Sequence, residues 1–353
     1  MKHCLRRLLE RLSSTTPLQS LLALAIVPLL WSTPGATQTP SGKLAQMTTL
    51  KYATTGLSWG TAPYFVAVAK KFFEAENLKV EFVVGGQSAQ VCQQLLAKAV
   101  EIGQCALNDV IQIVEKSGAP LVMVSNEVTT ALNYGMMAKP SIKNWLDLKG
   151  KNIIVGGPKD NTVYYTRVMA RPNGLKDSDY TFAFAGASGA RFAALKSGAV
   201  DAALVTDPFD AQAQLEGFTR IDDLRPKYVR AENYAGGGII TTRDWAKAHA
   251  DEIVAYMRAY TKSVAWIYDP ANQDEMFDIM KPRLNVTREA FNQSYQRNVV
   301  RDPMWALDDR VIDGAVQGVV DSLVELGNLP APAPKAAKYY DNSYVDMAAK
   351  TMR

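Results

Sequence analysis

The stretch EFVVGGQSAQVCQQLLAKAVEIGQCALND, residues 81–109, returns one hundred positions later as TFAFAGASGARFAALKSGAVDAALVTDPF, residues 181–209. Laid over each other without gaps, Phe82 meets Phe182, Gly86 meets Gly186, Ser88 meets Ser188 and Leu95 meets Leu195. Further on, Ala99 meets Ala199, Val100 meets Val200 and Glu101 meets Asp201. Each copy reads as an apolar strand, a Gly-x-Ser turn, an amphipathic helix, a short polar turn and a second apolar run. Strand, helix, strand in that order is a βαβ unit, and such a unit needs a parallel sheet. Two units so far apart predict two sheets, each with its own core.

The 353 residues have room for two α/β domains of ordinary size. A hydrophobic content of 48% with 21% charged residues is that of a globular chain. The formal charge of +4 misleads: Lys2, Arg6, Arg7 and Arg11 less Glu10 put three positive charges at the N-terminus, leaving about +1 beyond it. Nothing there advertises nucleic acid or an acidic membrane. The basic segment to Arg11, the apolar run over Leu18–Leu30 and the small residues from Trp31 have the layout of a secretory signal peptide, with cleavage expected after Ala36. As a membrane anchor the apolar run is too short, and Pro28 interrupts it. No cysteine follows it at a lipidation position, so free release is expected. Cys4 leaves with this leader. Cys92 and Cys105 stay, on the helix and second strand of the first copy, either as a disulfide or as separate buried thiols.

In chain order, a strand is expected over Thr49–Thr55, a helix over Tyr64–Glu76 with Thr61 as its cap, and a strand over Leu78–Val84. Asn77 stands where a left-handed cap belongs. After the first copy come strands at 121–128 and 133–138, then the strand at Ile153 and its Gly-rich turn, then the second copy. A glycine run at 236–238 leads back, and from Ala246 the pattern is helical to Leu326. The organisation expected is a signal peptide (1–36), a first lobe (48–138 and 237–330), a second lobe (139–236) and a C-terminal tail (331–353). Two crossings make a two-stranded hinge, which favours opening and closing.

Ligands of open α/β sheets bind beyond the carboxyl ends of the strands, where helix N-termini point unpaired N–H groups into a crevice. The turns at such places are LSWGTAPY (57–64), GGQSA (85–89), LNDV (107–110), GGPKDNT (156–162), GASGA (186–190) and TDPF (206–209). Three belong to each lobe, so facing lobes would line one cleft with six turns. Gln87 and Ser88 in one lobe and Ser188 and Gly189 in the other are expected to hold an oxyanion at helix N-termini. Trp59 and Tyr64 are expected to pack its organic part. Asp109 and Asp207 read first as helix N-caps, and Asp207 is also placed to accept a hydrogen bond from a ligand. Gly60, Asn108, Lys159, Asn161, Thr162 and Tyr234 complete the candidate ligand-binding set.

Catalysis finds little support in the residues. Beyond the leader His249 is the one histidine, in a polar helix start, and no Cys–His pair or metal-ligand cluster accompanies it. GASGA resembles a nucleophile elbow but departs from its pattern and lacks a base. GGPK lacks the Gly-Lys-Ser/Thr ending of a phosphate loop. No catalytic residue, metal or cofactor is expected.

An ordered set of segments resembles the substrate-binding proteins of nitrate/sulfonate/taurine-type ABC transporters: APYFVAVAKKFFEAENLKVEFVVGG (62–86), VEIGQCALND (100–109), GAPLVMV (118–124), WLDLKGKNIIVG (145–156), LKSGAVDAALVTDP (195–208) and YDNSY (340–344). Asn77 and Ala99 depart from glycines common in that family. The resemblance implies a type II periplasmic-binding fold: two α/β lobes, each a mainly parallel sheet flanked by helices, that close on a small solute and present it to an inner-membrane permease. It implies a periplasmic receptor, and a monomer is expected. A small organic anion, sulfonate- or carboxylate-like, is favoured as the solute. The acidic Asp109 and Asp207 favour instead a neutral heterocycle such as a thiamine pyrimidine precursor. A relative of this family makes that pyrimidine with a cysteine-rich stretch and an active-site histidine, and this chain shows neither at a matching place. An exported enzyme using the same cleft, and a receptor that signals to a membrane sensor, are the remaining alternatives.

Overall fold

The computed structural model describes residues 42–127, 134–158, 160–224, 228 and 235–352. The expected signal peptide, Lys159 and Tyr234 lie outside the described residues.

The first sheet is built from β1 (Thr48–Thr54), β2 (Leu78–Val84), β3 (Ile102–Ala106) and β4 (Leu121–Ser125). The second takes β5 (Tyr134–Ala138), β6 (Asn152–Val155), β7 (Thr181–Phe184), β8 (Ala202–Thr206) and β9 (Thr219–Asp223), and β10 (Gly237–Thr242) returns to the first. Their orders are β2-β1-β3-β10-β4 and β7-β6-β8-β5-β9. In each, three strands run parallel, with β1 or β6 between the two strands of the repeat. A fourth strand is antiparallel to both its neighbours, β10 in one sheet and β5 in the other. The sheets are therefore mixed. The antiparallel member of each is the strand that has just crossed from the other sheet. The expected assignment of residues 133–138 to the first lobe is corrected accordingly: Tyr134–Ala138 pairs with β8 and β9, so the first crossing precedes Tyr134.

Helices flank both sheets: α1 (Ala62–Ala69), α2 (Phe72–Ala75), α3 (Ser88–Leu96) and α4 (Leu107–Ser117) with the first, and α5 (Asn161–Ala170), α6 (Ser188–Lys196) and α7 (Phe209–Leu215) with the second. The C-terminal part supplies α8 (Arg243–Ala248), α9 (Ala250–Tyr268), α10 (Gln273–Leu284), α11 (Arg288–Tyr295), α12 (Asp313–Glu325) and α13 (Ser343–Thr351). The single helix expected over 64–76 is broken by Lys71, whose φ of 58° is left-handed. Asn77 takes the left-handed conformation expected of it (φ 57°). The cores are not separate. One apolar cluster runs from Val91, Leu107 and Val110 of the first lobe through Val316 and Val319 of α12 to Ile153, Tyr165 and Leu204 of the second. A second cluster packs α1 and α9–α11 on the other face of the first sheet, and it takes in Ala211 of α7.

The repeat is used twice in the same structural way. Ser88 Oγ accepts from the N–H of Ala106, and Ser188 Oγ accepts from the N–H of Thr206. Each serine thus ties the start of its helix to the end of the following strand, across positions again one hundred apart. Glu101 and Asp201 are equivalent too. Each accepts a backbone N–H of its sheet's inner strand, from Lys51 of β1 at 2.7 Å and from Asn152 of β6 at 3.1 Å.

At β10, a Cβ on Gly238 would stand 2.0 Å from the carbonyl oxygen of Ser125, next to the register shift between β10 and β4. A backbone oxygen cannot move aside as a side chain can. Gly238→Ala is expected to destabilise the fold by about 3 kcal/mol or more, read as a lower urea midpoint at unchanged m-value.

Candidate functional site

A cavity of about 170 Å³ lies between the carboxyl ends of the two sheets. The first lobe lines it with Thr55, Ser58, Gly60, Gln87, Ser88, Gln104, Cys105, Ala106 and Met304, and the second with Tyr134, Asp160, Asn161, Thr162, Gly186, Arg191 and Thr206. The two repeat turns meet across it: a Cβ on Gly186 would lie 3.0 Å from the Gln87 side chain, so only glycine allows that approach without displacing Gln87. A side pocket continues from Gln87, Ser88 and Asp160 to Asp109, Gly157 and Pro158.

Gly60, Gln87, Ser88, Asn161 and Thr162 of the candidate set therefore line the cavity, and Asp109 the side pocket. Asn161 Nδ2 donates to Tyr165 OH, and Thr162 Oγ1 accepts from the Gly156 N–H, so both are held from within their lobe. Asp160 of that turn lines the cavity and caps α5 by accepting from the Thr162 N–H. Asn108 is buried on α4 and donates to Asp109 at 3.3 Å. Burial, and the nearby charge of Asp160, push the Asp109 carboxyl up to about 6.

Four expectations are corrected. Trp59 is fully buried, its ring against Phe291 and stacked on Trp305. The one-turn helix Trp59–Thr61 turns Ser58 and Gly60 toward the cavity and the indole into the core. Tyr64 lies among Tyr52, Phe65, Phe73 and Phe82, and its hydroxyl donates to the Val80 carbonyl. Neither ring reaches the cavity. Gly189 packs on the Phe209 ring, and Ser188 is spent on Thr206 and Arg191. Asp207 is fully buried, and its carboxylate accepts from Ser294 Oγ, Arg297 Nη1 and Asn298 Nδ2.

That last correction uncovers a seam. Asp207 and Asp210 belong to the second lobe. Ser294 of α11 and Arg297 and Asn298 of the π-helical turn Gln296–Arg301 pack with the first. Arg297 Nη1 lies 3.2 Å from both Asp207 oxygens and 2.6 Å from Asp210 Oδ2, and Arg220 donates to Asp210 from the other side. Burial would lift Asp210, but Arg220 and Arg297 hold it well below the usual carboxylate range; burial and Asp210 push Asp207 up.

Arg191 was not singled out in the sequence. It sits on α6 and is 2% exposed, yet lines the cavity. Its guanidinium donates to the carbonyls of Leu204, Ala185 and Gly186 and to Ser188 Oγ, and no carboxylate pairs with it among the described residues. In the repeat its counterpart is Val91, a core residue. That swap of an apolar for a cationic residue at a matched inward position is the signal that could have marked it. Tyr134 and Arg191 lie side by side on the second-lobe wall, where burial raises the Tyr134 hydroxyl and Arg191 tempers the rise.

Two facing α/β lobes with the cleft at their strand ends define the class: the periplasmic-binding fold of ABC-import solute receptors. Residues 59–273 match the family described as "NMT1/THI5 like", and the chain belongs to that family. The alkanesulfonate-binding protein SsuA of Xanthomonas axonopodis pv. citri, bound to MOPS, superposes with a TM-score of 0.68 at 16% identity, over 84% of this chain and 100% of its own. The nitrate-binding protein NrtA of Synechocystis PCC 6803 gives 0.69 at 14%, over 87% and 89%. The fold also serves catalysis: the desulfurization enzyme DSZB gives 0.60 at 15%, over 86% and 99%. A curated relative from Uromyces fabae, named 4-amino-5-hydroxymethyl-2-methylpyrimidine phosphate synthase, is 25% identical over 267 residues, 68% of this chain and 74% of its own. Among the described residues no helix is long and apolar enough to cross a membrane, and no group of three or more His, Cys, Asp or Glu could hold a metal.

Removing one partner of a buried charge network leaves uncompensated charge. Arg297→Met is therefore expected to cost about 3–5 kcal/mol of unfolding free energy in denaturant titrations. Stability should also depend on pH in both directions. Burial raises Asp309 to about 8 and lifts Glu127 as well, so the folded state holds their protons more tightly. The Asp309 contribution is complete below about pH 4 and is lost as pH rises through about 8, and that of Glu127 is likewise lost on the alkaline side. Burial would lift Glu76, but hydrogen bonds from Arg258 and Lys262 hold it low; Lys139 holds Asp201 low. Their contribution is lost as pH falls below about 4. Melting temperature should peak at about pH 4, and Asp309→Asn should flatten the alkaline limb alone.

Proposed function

We propose that this chain is the solute receptor of an ABC importer, exported to the periplasm, which takes up a small organic anion between its lobes and presents it to an inner-membrane permease. The observation that carries the reading is Arg191, a buried cation at the cavity wall that forms no ion pair with a carboxylate among the described residues, the charge of Asp160 acting on it without direct contact. A buried unpaired charge is costly, and an anion entering the cleft relieves that cost. The α6 N-terminus beside it has no side-chain cap, and its partial positive charge acts in the same sense. At about 170 Å³ the cavity suits a compact sulfonate or carboxylate. Binding biases the hinge toward the closed form because the solute then touches both lobes. Export rests on the signal-like leader.

A second reading has its own support. Gln87, Gln104, Asn161 and Asp160 give the wall amide and carboxyl groups suited to a neutral heterocycle. The curated relative is named for a pyrimidine phosphate synthase. For this chain that points to a pyrimidine ligand, or to an enzyme using the same cleft; turnover of solute to product would distinguish the enzyme.

A thermal-shift screen of the chain from residue 37 against alkanesulfonates, carboxylates, nitrate and pyrimidines tests the choice. A ligand at about a hundred times its Kd adds roughly 2.7 kcal/mol. At least one organic anion should raise the melting temperature, and Arg191→Lys should lose most of that shift while keeping its circular dichroism spectrum. A response to pyrimidines alone overturns the anion reading.

A further inference from the structure

We propose that Glu127 is a positioning residue for solute recognition: from behind the cleft wall it holds the Gln104 amide in one orientation, and its uncharged form keeps that wall neutral. The inference rests on the reading of the cleft as the solute site.

Gln104 on β3 lines the cavity, and its amide is gripped from within at both ends. Its Nε2 donates to Glu127 Oε2 at 3.1 Å, and Thr54 Oγ1 donates to its Oε1 at 3.4 Å. An amide has two N–H donors and two acceptor lone pairs, so one of each is left for the cleft. Glu127 follows β4, is fully buried, and its Oε1 accepts from Tyr256 OH at 3.1 Å. The groups that face it are Gln104 of β3, Tyr52 of β1, Tyr256 and Tyr260 of α9, and Asp309. None is a cation.

A carboxyl so placed favours its neutral form, because it is withdrawn from bulk water and no counter-ion faces it among the described residues. Burial first, then the charge of Asp309, push it well above the usual carboxylate range. Ionised, Glu127 would demand the Gln104 N–H it already takes and add a negative charge one side chain behind the solute. An anion would then bind less well, although Arg191 is unchanged. In the repeat the position of Gln104 is taken by Leu204, whose side chain is core, so this polar relay belongs to the first lobe alone.

The test follows the Gln104 side-chain amide in ¹⁵N-labelled full chain as pH rises from about 7, above the range in which Asp109 titrates, to the alkaline limit of the folded state. Its resonances should shift with a single midpoint in wild type, stay still in Glu127→Gln, and shift in Asp309→Asn with an earlier midpoint. Tyr256→Phe, which strips Glu127 of a hydrogen bond, should move the midpoint upward, and it serves if Glu127→Gln fails to fold. With ethanesulfonate as probe, calorimetry should show wild-type affinity falling about tenfold across that window and Glu127→Gln affinity constant. A Gln104 amide with the same titration in wild type and Glu127→Gln overturns the inference. So does an ethanesulfonate affinity whose pH dependence Glu127→Gln leaves unchanged. Failure of wild type to bind any anion, with the amide still following Glu127, overturns the anion reading and leaves the positioning role standing.

Discussion

Two carboxylates of the second lobe, Asp207 and Asp210, are fully buried and share a guanidinium, Arg297, supplied from the first. Buried charges on both sides of a seam cannot part cheaply, because separation would leave either side uncompensated in a water-poor site. The seam stands directly beside the cavity: Thr206 lines it while the next residue is locked, and the Trp59 N–H donates to the Asp207 carbonyl. Ser58 and Gly60, on either side of Trp59, are cavity residues. One wall of the cleft is thus fixed by electrostatics and by the Trp59–Phe291–Trp305 stack. At the other wall the Gln87 side chain meets Gly186, and no ion pair joins these two turns among the described residues.

The cleft is assembled from a duplicated unit whose two copies have been put to different use. Ser88 and Ser188 do the same structural task, as do Glu101 and Asp201. The difference lies at two inward positions. Val91 is replaced by Arg191, and Gln104 by Leu204, so one lobe brings charge and the other a neutral amide. Acid groups gather elsewhere, with Asp109 and Asp160 along the side pocket.

The repeat was legible because period and spacing survive in one dimension; strand, turn and helix of each copy lie where their alternation and Gly-x-Ser turns place them. The cleft was legible in outline, since strand-to-helix turns must gather at the strand ends. Side-chain direction was not. Trp59 is flanked by cavity residues yet faces the core, because a one-turn helix sends neighbours opposite ways. Asp207 looked like a cap or a ligand acceptor because its counter-ion, Arg297, is 90 residues away in sequence. The crossing strand β5 was misplaced because its apolar run YGMMA carries no mark of which sheet it pairs with.

Cys92 on α3 and Cys105 on β3 are free and buried in the structure, each thiol near the other. They were open to either state in the sequence. Cys92 is fully buried, so its sulfur meets a reagent in solution only when the helix lifts from its strand, whereas Cys105 borders the cavity. The rate at which an alkylating probe modifies Cys92 is therefore a built-in clock for how often this half of the molecule breathes, readable without any mutation.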